Sequence, residues 1–171
     1  MIVEGLENTV SVEFTRPANT DAYTAGDVVS NSTSASTLLE FANFFRPNSD
    51  GLIRGGYIIA ARLTTNKKSI SPRFRVHLFN ASNPTRSADN AAHQEKYADI
   101  SKRLGYFDLD AMLTPADTTN SDMSRSTNMY LRVPVRPASG SRSLFVLLET
   151  LDGFTPDSGQ KFTLTLTGDI N

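Results

Sequence analysis

The residues best suited to chemistry in this chain are two histidines, and their number limits what they can do. His77 and His93 are the only imidazole groups, and the chain has no cysteine. A thiol nucleophile, a thiolate metal site and an iron–sulfur cluster are therefore excluded, and a multi-histidine metal site has too few ligands. A Ser-His-Asp site is the first enzyme hypothesis, but the Gly-x-Ser-x-Gly turn is missing. We interpret both histidines as surface residues and predict no catalytic residue, cofactor or metal.

A pair of carboxylates is the second candidate for chemistry. Asp108 and Asp110 flank Leu109, so in an extended segment they project to the same side, as acid/base partners do. The same arrangement is typical of the solvent face of a strand, which is the far more common case. Together with Asp89-Asn90 these residues also offer oxygen ligands for calcium, although the sequence contains no Asp-x-Asp-x-Asp-Gly loop.

Aromatic residues are the third candidate, because sugars stack on exposed rings. Such sites use tryptophan above all, and the chain has none. The possible platforms are therefore tyrosines, and buried or interface positions explain them equally well. They are Tyr23, Tyr57, Tyr97, Tyr106 and Tyr130.

The composition restricts the class of protein further. The chain has 171 residues, of which 39% are hydrophobic and 20% charged, with a net charge of −1. This length suits one domain spanning residues 1–171. Near-neutral charge argues against a general nucleic-acid binder, and no apolar run approaches the ~20 residues of a membrane span. The first ten residues lack the basic and apolar regions of a signal peptide, so none is expected.

The elements that must position these residues are strands. Serine and threonine number 18 each, and arginine outnumbers lysine 12 to 5, which favours an all-β domain with many polar contacts. Strict alternation of apolar and polar residues predicts half-buried strands, and Pro134 predicts a sheet edge in the last of them. These strands are residues 162–170, 10–14, 74–78 and 129–135.

Three further segments complete the prediction of about eight strands. Residues 144–148 and 57–61 are apolar on both faces, which is typical of strands covered on both sides, and residues 38–45 are interpreted as a strand. Gly55-Gly56 indicates a bulge or a close backbone approach. The connections 81–103 and 114–128 are predicted to be irregular, with one short helix at most. The pattern predicts an antiparallel sandwich or barrel.

One segment carries a resemblance. Residues 15–29, Thr-Arg-Pro-Ala-Asn-Thr-Asp-Ala-Tyr-Thr-Ala-Gly-Asp-Val-Val, resemble a motif of small tailed-phage structural proteins that are encoded near the major capsid protein. Looser matches follow in the same order over most of the chain. They are residues 53–63, 77–80, 83–92 and 105–108.

The resemblance implies a jelly-roll-like β-sandwich of the virion, a head decoration (cement) protein without catalytic residues. Its implied partners are the major capsid protein and further copies of itself, with a homotrimer expected. It implies the capsid surface as location, with assembly in the host cytoplasm and no binding to nucleic acid or membrane. We expect the interface to include Arg16, Pro17, Tyr23 and Asp27. An alternative for these four residues is a self-contained turn, with Asp27 capping and Tyr23 in the core of the domain. A separate alternative for the function is a tail- or fibre-associated carbohydrate-binding module.

Overall fold

Two antiparallel β-sheets of five strands each make up the fold. The structure is a computed structural model and describes residues 6–35, 37–117, 119 and 121–170. Its strands are β1 (Leu6–Thr15), β2 (Val28–Val29), β3 (Leu39–Phe41), β4 (Gly56–Thr65), β5 (Phe74–Phe79), β6 (Arg103–Leu109), β7 (Ser124–Asn128), β8 (Val133–Val135), β9 (Leu144–Thr150) and β10 (Lys161–Ile170).

The two sheets pack face to face around one apolar core. The first has the order β1-β10-β4-β7, with β8 also paired to β4, and the second has the order β2-β9-β5-β6, with β3 also paired to β9. Phe162 and Leu164 of the first sheet and Phe74 and Val76 of the second belong to the same buried cluster. The predicted all-β sandwich is confirmed, with about ten strands instead of eight.

The strand β10 shows why alternation was a sound guide. Phe162, Leu164 and Leu166 are fully buried, and the threonines between them are partly exposed on the outer face. β1 pairs with β10 over its whole length, so that Val12 lies opposite Leu164. The strands predicted at residues 162–170, 10–14, 74–78, 57–61 and 144–148 are confirmed. Cover on both faces holds for 144–148, whereas Tyr57 and Ile59 are only partly buried.

The prediction for residues 114–135 was wrong in two ways. A strand, β7, forms inside the connection expected to be irregular, and of residues 129–135 only Val133–Val135 is a strand. β7 escaped detection because its inward positions are serines: Ser124 and Ser126 are buried, and the Ser126 hydroxyl donates to the Asp110 carbonyl oxygen at 2.6 Å. β8, which contains Pro134, pairs with β4 alone, as expected for an edge.

Of two shorter elements, the first differs from the expectation and the second agrees with it. Only Leu39–Phe41 of residues 38–45 is a strand, because Asn43 adopts a positive φ of 55° and turns the chain so that Phe44 and Phe45 enter the core. In the connection 81–102 the helix is a single 3₁₀ turn at Tyr97–Asp99.

Gly55 and Gly56 mark a close backbone approach, which was one of the two expectations for them. A Cβ atom on Gly56 would lie 2.1 Å from the carbonyl oxygen of Asp169, and one on Gly55 would lie 2.4 Å from that of Val135. β4 is held between β10 and β8 at this point, so no larger residue fits without displacing a strand.

Candidate functional site

Arg16, Tyr23 and Asp89 form a buried polar network beside the second sheet. Arg16 follows β1, and its Nη2 lies 2.9 Å from Asp89 Oδ2, with neither side chain exposed. The Tyr23 hydroxyl donates to Asp89 Oδ1 at 2.6 Å and accepts a hydrogen bond from Arg16 Nε. The backbone N–H of Ser30 also donates to Asp89 Oδ1, at 2.8 Å. Burial, reinforced by the Asp89 carboxylate, raises the pKa of Tyr23 far above its usual range.

Asp27 closes the turn that precedes β2. Its Oδ2 accepts hydrogen bonds from the backbone N–H of Thr24 at 2.6 Å and from the Thr24 hydroxyl at 2.8 Å. Pro17 is half-buried, and its carbonyl oxygen accepts from the N–H of Asn19 at 2.9 Å. The geometry of the four residues matches the self-contained turn, with Asp27 capping and Tyr23 in the core. Their role in an interface stays a prediction. The buried network would contribute to such an interface by holding the surface around it in shape.

The two histidines lie together, and the expectation that they are surface residues was wrong. Their ring centroids are 4.1 Å apart, and only 3% of the His77 side chain and 8% of that of His93 are exposed. The connection 81–102 causes this burial because it pairs with the chain around β2 and folds over the outer face of β5. Its hydrogen bonds include His93 N–H to the Gly26 carbonyl at 2.8 Å and Val28 N–H to the Ala91 carbonyl at 2.9 Å.

In the part of the chain that the structure describes, the nearby charged side chains hydrogen-bond to His77 but not to His93. His77 Nε2 lies 2.5 Å from Glu149 Oε2, and His77 Nδ1 lies 3.1 Å from Arg103 Nη2. Arg103 Nη2 also donates to Glu95 Oε1. Both ring nitrogens of His93 are buried without a hydrogen-bond partner among the described residues. We refer to His77, His93, Glu95, Arg103 and Glu149 as the histidine cluster.

The electrostatics of the histidine cluster follow from its burial. Burial and the neighbouring His77 lower the pKa of His93 to about 4, so this imidazole is neutral at pH 7. Burial acts to raise the pKa of Glu149, but the hydrogen bond from His77 and the electrostatic influence of the neighbouring basic side chains outweigh that effect, and the pKa is lowered.

One sequence signal for this burial existed. The neighbouring strand β9 is apolar on both faces, and Leu147, opposite His77, packs with Phe79 and Val28 in a small second core on the outer face. Because β9 is covered on both faces, the outer face of the adjacent strand β5, which carries His77, is expected to be covered as well. No spacing rule, however, brings Glu95 or Glu149 to the histidines.

Of the carboxylates proposed for acid/base or calcium chemistry, Asp108 and Asp89 have other partners, and Asp110 is exposed just after β6. Arg75 holds Asp108 in a two-pronged ion pair, at 2.7 and 2.9 Å, which lowers the pKa of Asp108, whereas a general acid needs a raised pKa. Asp89 belongs to the buried network. In the described chain, the group that brings three metal-ligating side chains within 4.8 Å consists of His77, His93 and Glu95.

The tyrosines divide into buried and exposed members. Tyr23 is buried and stacks on Phe154 at a centroid distance of 4.8 Å, whereas Tyr106 is 54% exposed and has the Arg75 guanidinium over its ring. Tyr97 and Tyr130, by contrast, are 88% and 97% exposed. These two rings are therefore available to a partner.

Asp99 gives the connection 81–102 a testable dependence on pH. A hydrogen bond from Lys102 at 2.8 Å and one from the Thr85 N–H at 2.7 Å lower the pKa of Asp99 to about 2. A carboxyl whose pKa is lowered by folding contributes stability above its unfolded pKa of about 4 and loses it as the pH falls towards 2. We expect urea midpoints of Asp99→Asn to lie below those of the unchanged protein at pH 7 and to converge with them between about pH 4 and 2.

The matched control for this measurement is Asp50→Asn. Asp50 forms an exposed ion pair with Arg54, in which both side chains are 54% exposed. The Asp50→Asn variant is expected to change the urea midpoint little at any pH, because exposed ion pairs contribute little to stability. A deficit of Asp99→Asn that stayed constant from pH 7 to pH 2 would contradict the assignment.

Fold and sites together define an all-β, two-sheet sandwich with a buried polar network, a buried histidine cluster and exposed aromatic side chains. No protein-family model matches the sequence, and no curated protein is significantly similar to it. Among the residues that the structure describes, none lies in a helix long and apolar enough to cross a membrane.

Proposed function

We propose that this protein is a bacteriophage virion protein that decorates the outer surface of the head and stabilises contacts between major capsid protein subunits. It has no enzymatic role in this proposal. The resemblance of residues 15–29 to tailed-phage structural proteins supports the class, and the sandwich fold is compatible with the jelly-roll-like form that the resemblance implies.

The observation that carries the proposal is a set of exposed apolar side chains on both sides of β7. Met129 and Tyr130 follow this strand and are 63% and 97% exposed, and Leu113, which precedes it, is 68% exposed. Tyrosine and methionine are enriched in protein–protein interfaces, where their burial releases water from large apolar areas.

The mechanism we propose is additive. Each copy covers a joint between neighbouring capsid subunits with the surface around β7 and with the connection 81–102, whose Tyr97 and Ile100 are also exposed. The area buried in every copy raises the free energy needed to open the shell. We propose a homotrimer as the bound form, since capsid-bound proteins commonly sit at symmetry axes and closed symmetry is the rule for homo-oligomers.

Co-sedimentation with heads is the test. Purified protein is mixed with undecorated phage heads assembled from major capsid protein, and the bound fraction is measured against concentration. We expect saturable binding and a higher disruption temperature of the decorated heads. The double variant Met129→Ser/Tyr130→Ser is expected to bind at least about tenfold more weakly, since interface aromatics are frequent hot spots.

Leu52→Ser is the matched control, because Leu52 is also exposed, at 54%, but lies in the turn before β4. It is expected to bind heads as the unchanged protein does. Absence of head binding by the unchanged protein would overturn the proposal.

A second candidate function, a tail- or fibre-associated carbohydrate-binding module, has one specific observation in its favour. A groove of about 480 Å³ crosses the outer face of the first sheet beside Met129. Arginine guanidinium groups and threonine hydroxyls line it, and both hydrogen-bond to sugars and their carboxylates. They belong to Arg62, Arg125, Thr127, Thr165 and Thr167. Saturable hits on a glycan array, together with no binding to heads, would favour this candidate.

A further inference from the structure

We propose that His77, His93 and Glu95 bind a divalent transition-metal ion, such as Zn²⁺, between the second sheet and the connection 81–102. The site is independent of the proposed function. His77 comes from β5, and the other two ligands come from the connection, so that the ion would join the two parts of the protein.

The geometry of the three ligand atoms carries the first step. One nitrogen of each imidazole and a carboxylate oxygen of Glu95 lie within 4.8 Å of one another, and His93 Nε2 is 3.8 Å from Glu95 Oε1. Tetrahedral Zn²⁺ with bonds of about 2.0–2.1 Å holds its ligand atoms about 3.3 Å apart. Glu95 is 61% exposed, so its side chain has room to make the remaining approach.

His93 supplies an independent observation. Its side chain is more than nine-tenths buried, yet both ring nitrogens lack a partner among the described residues. Buried polar atoms are hydrogen-bonded in the great majority of cases, so an orphaned imidazole calls for an explanation. A metal ion bound to Nε2 satisfies that nitrogen.

His77 has the partner that a metal-binding histidine requires. Its Nε2 faces the Glu149 carboxylate at 2.5 Å and is assigned as the donor, which leaves Nδ1, now 3.1 Å from Arg103 Nη2, as the nitrogen that can bind the ion. A carboxylate on the far nitrogen is the usual arrangement for metal-ligating histidines, since it orients the ring and raises its basicity.

Arg103 occupies the position, between His77 and Glu95, that the ion would take. Its Nη2 donates to both His77 Nδ1 and Glu95 Oε1, so a cationic group already bridges two of the three ligands. Arg103 begins β6, an edge strand, and its side chain is 17% exposed, which gives it a path to solvent when a metal takes its place. The arginine is therefore a competitor of the metal.

The ligand types select the class of metal. Two imidazoles and one carboxylate suit Zn²⁺ and its neighbours Co²⁺, Ni²⁺ and Cu²⁺, whereas Ca²⁺ and Mg²⁺ require oxygen ligands. Water completes the coordination shell.

Calorimetric titration of the untagged protein with ZnCl₂ and, separately, with MgCl₂ tests the proposal. We expect one Zn²⁺ per chain, no response to Mg²⁺, and a Tm rise of roughly 5–10 °C at a hundredfold excess of Zn²⁺ over Kd. Glu95→Gln is expected to weaken Zn²⁺ binding by at least about tenfold, and Arg103→Met to strengthen it.

Two controls make the result decisive. Asp108→Asn removes a carboxylate of β6 outside the cluster and should leave the affinity for Zn²⁺ unchanged. Glu95→Gln alters an exposed side chain, so its folding is expected to survive, and melting in EDTA checks this for every variant. Lack of 1:1 binding to both the unchanged protein and Arg103→Met would overturn the proposal, as would equal affinities of the unchanged protein and Glu95→Gln.

Discussion

Replacing Asp89 with alanine is expected to destabilise the protein by about 3–5 kcal/mol, because it leaves a buried guanidinium without a counter-charge. The Arg16 and Asp89 side chains are fully buried, and Asp89 also accepts hydrogen bonds from Tyr23 and Ser30. All three donors lose their acceptor in the variant. Urea unfolding followed by fluorescence or circular dichroism measures the change in the free energy of unfolding.

The exposed pair of Arg54 and Asp50 provides the comparison. Asp50→Ala is expected to cost less than about 0.5 kcal/mol, since exposed ion pairs contribute little. The double variant Arg16→Met/Asp89→Leu should recover part of the loss, because it removes both buried charges together. Equal destabilisation by Asp89→Ala and Asp50→Ala would show that the buried network does not stabilise the fold.

Phe74→Ala is the second change with a large expected effect, again about 3–5 kcal/mol. Phe74 of β5 is completely buried and makes edge-to-face contacts with Phe162 and Phe154, each at a centroid distance of 5.9 Å. Phe162 belongs to the opposite sheet, so the ring fills space between the two layers. Alanine leaves a cavity there that the paired strands on both sides prevent from collapsing.

Thermal and urea unfolding of Phe74→Ala, Phe74→Leu and Tyr97→Ala gives the test. Leucine fills more of the space and should cost clearly less than alanine. Tyr97 is 88% exposed, and its replacement should change stability by no more than about 0.5 kcal/mol. If Phe74→Ala were no more destabilising than Tyr97→Ala, the packing described here would be wrong.

The sequence predicted those strands whose buried positions are apolar. β10 and β5 were recognisable because an apolar residue at every second position has no other economical explanation. β7 was not, since its inward residues are the buried serines Ser124 and Ser126, whose small polar side chains carry no hydrophobic signal; the Ser126 hydroxyl donates to the Asp110 carbonyl. Periodicity of hydrophobicity is blind to a strand of this kind.

The sites were predictable only as far as they are local. The Thr24–Asp27 turn depends on residues only three positions apart, and the sequence predicted it as one of two alternatives. The pairing of Arg16 with Asp89 spans 73 positions, and the meeting of His77 with Glu149 spans 72. Contacts of this length depend on how connections lie over the sheets, which no local pattern encodes.

The connection 81–102 has consequences for where the chain tolerates change. It has almost no regular secondary structure, yet its backbone is hydrogen-bonded to the chain around β2. It also carries Asp89 and His93. A peptide inserted between residues 88 and 93 would both separate Asp89 from Arg16 and expose His77 to solvent. Irregular segments are usually the first place to look for an insertion site, but in this protein that segment is among the least permissive.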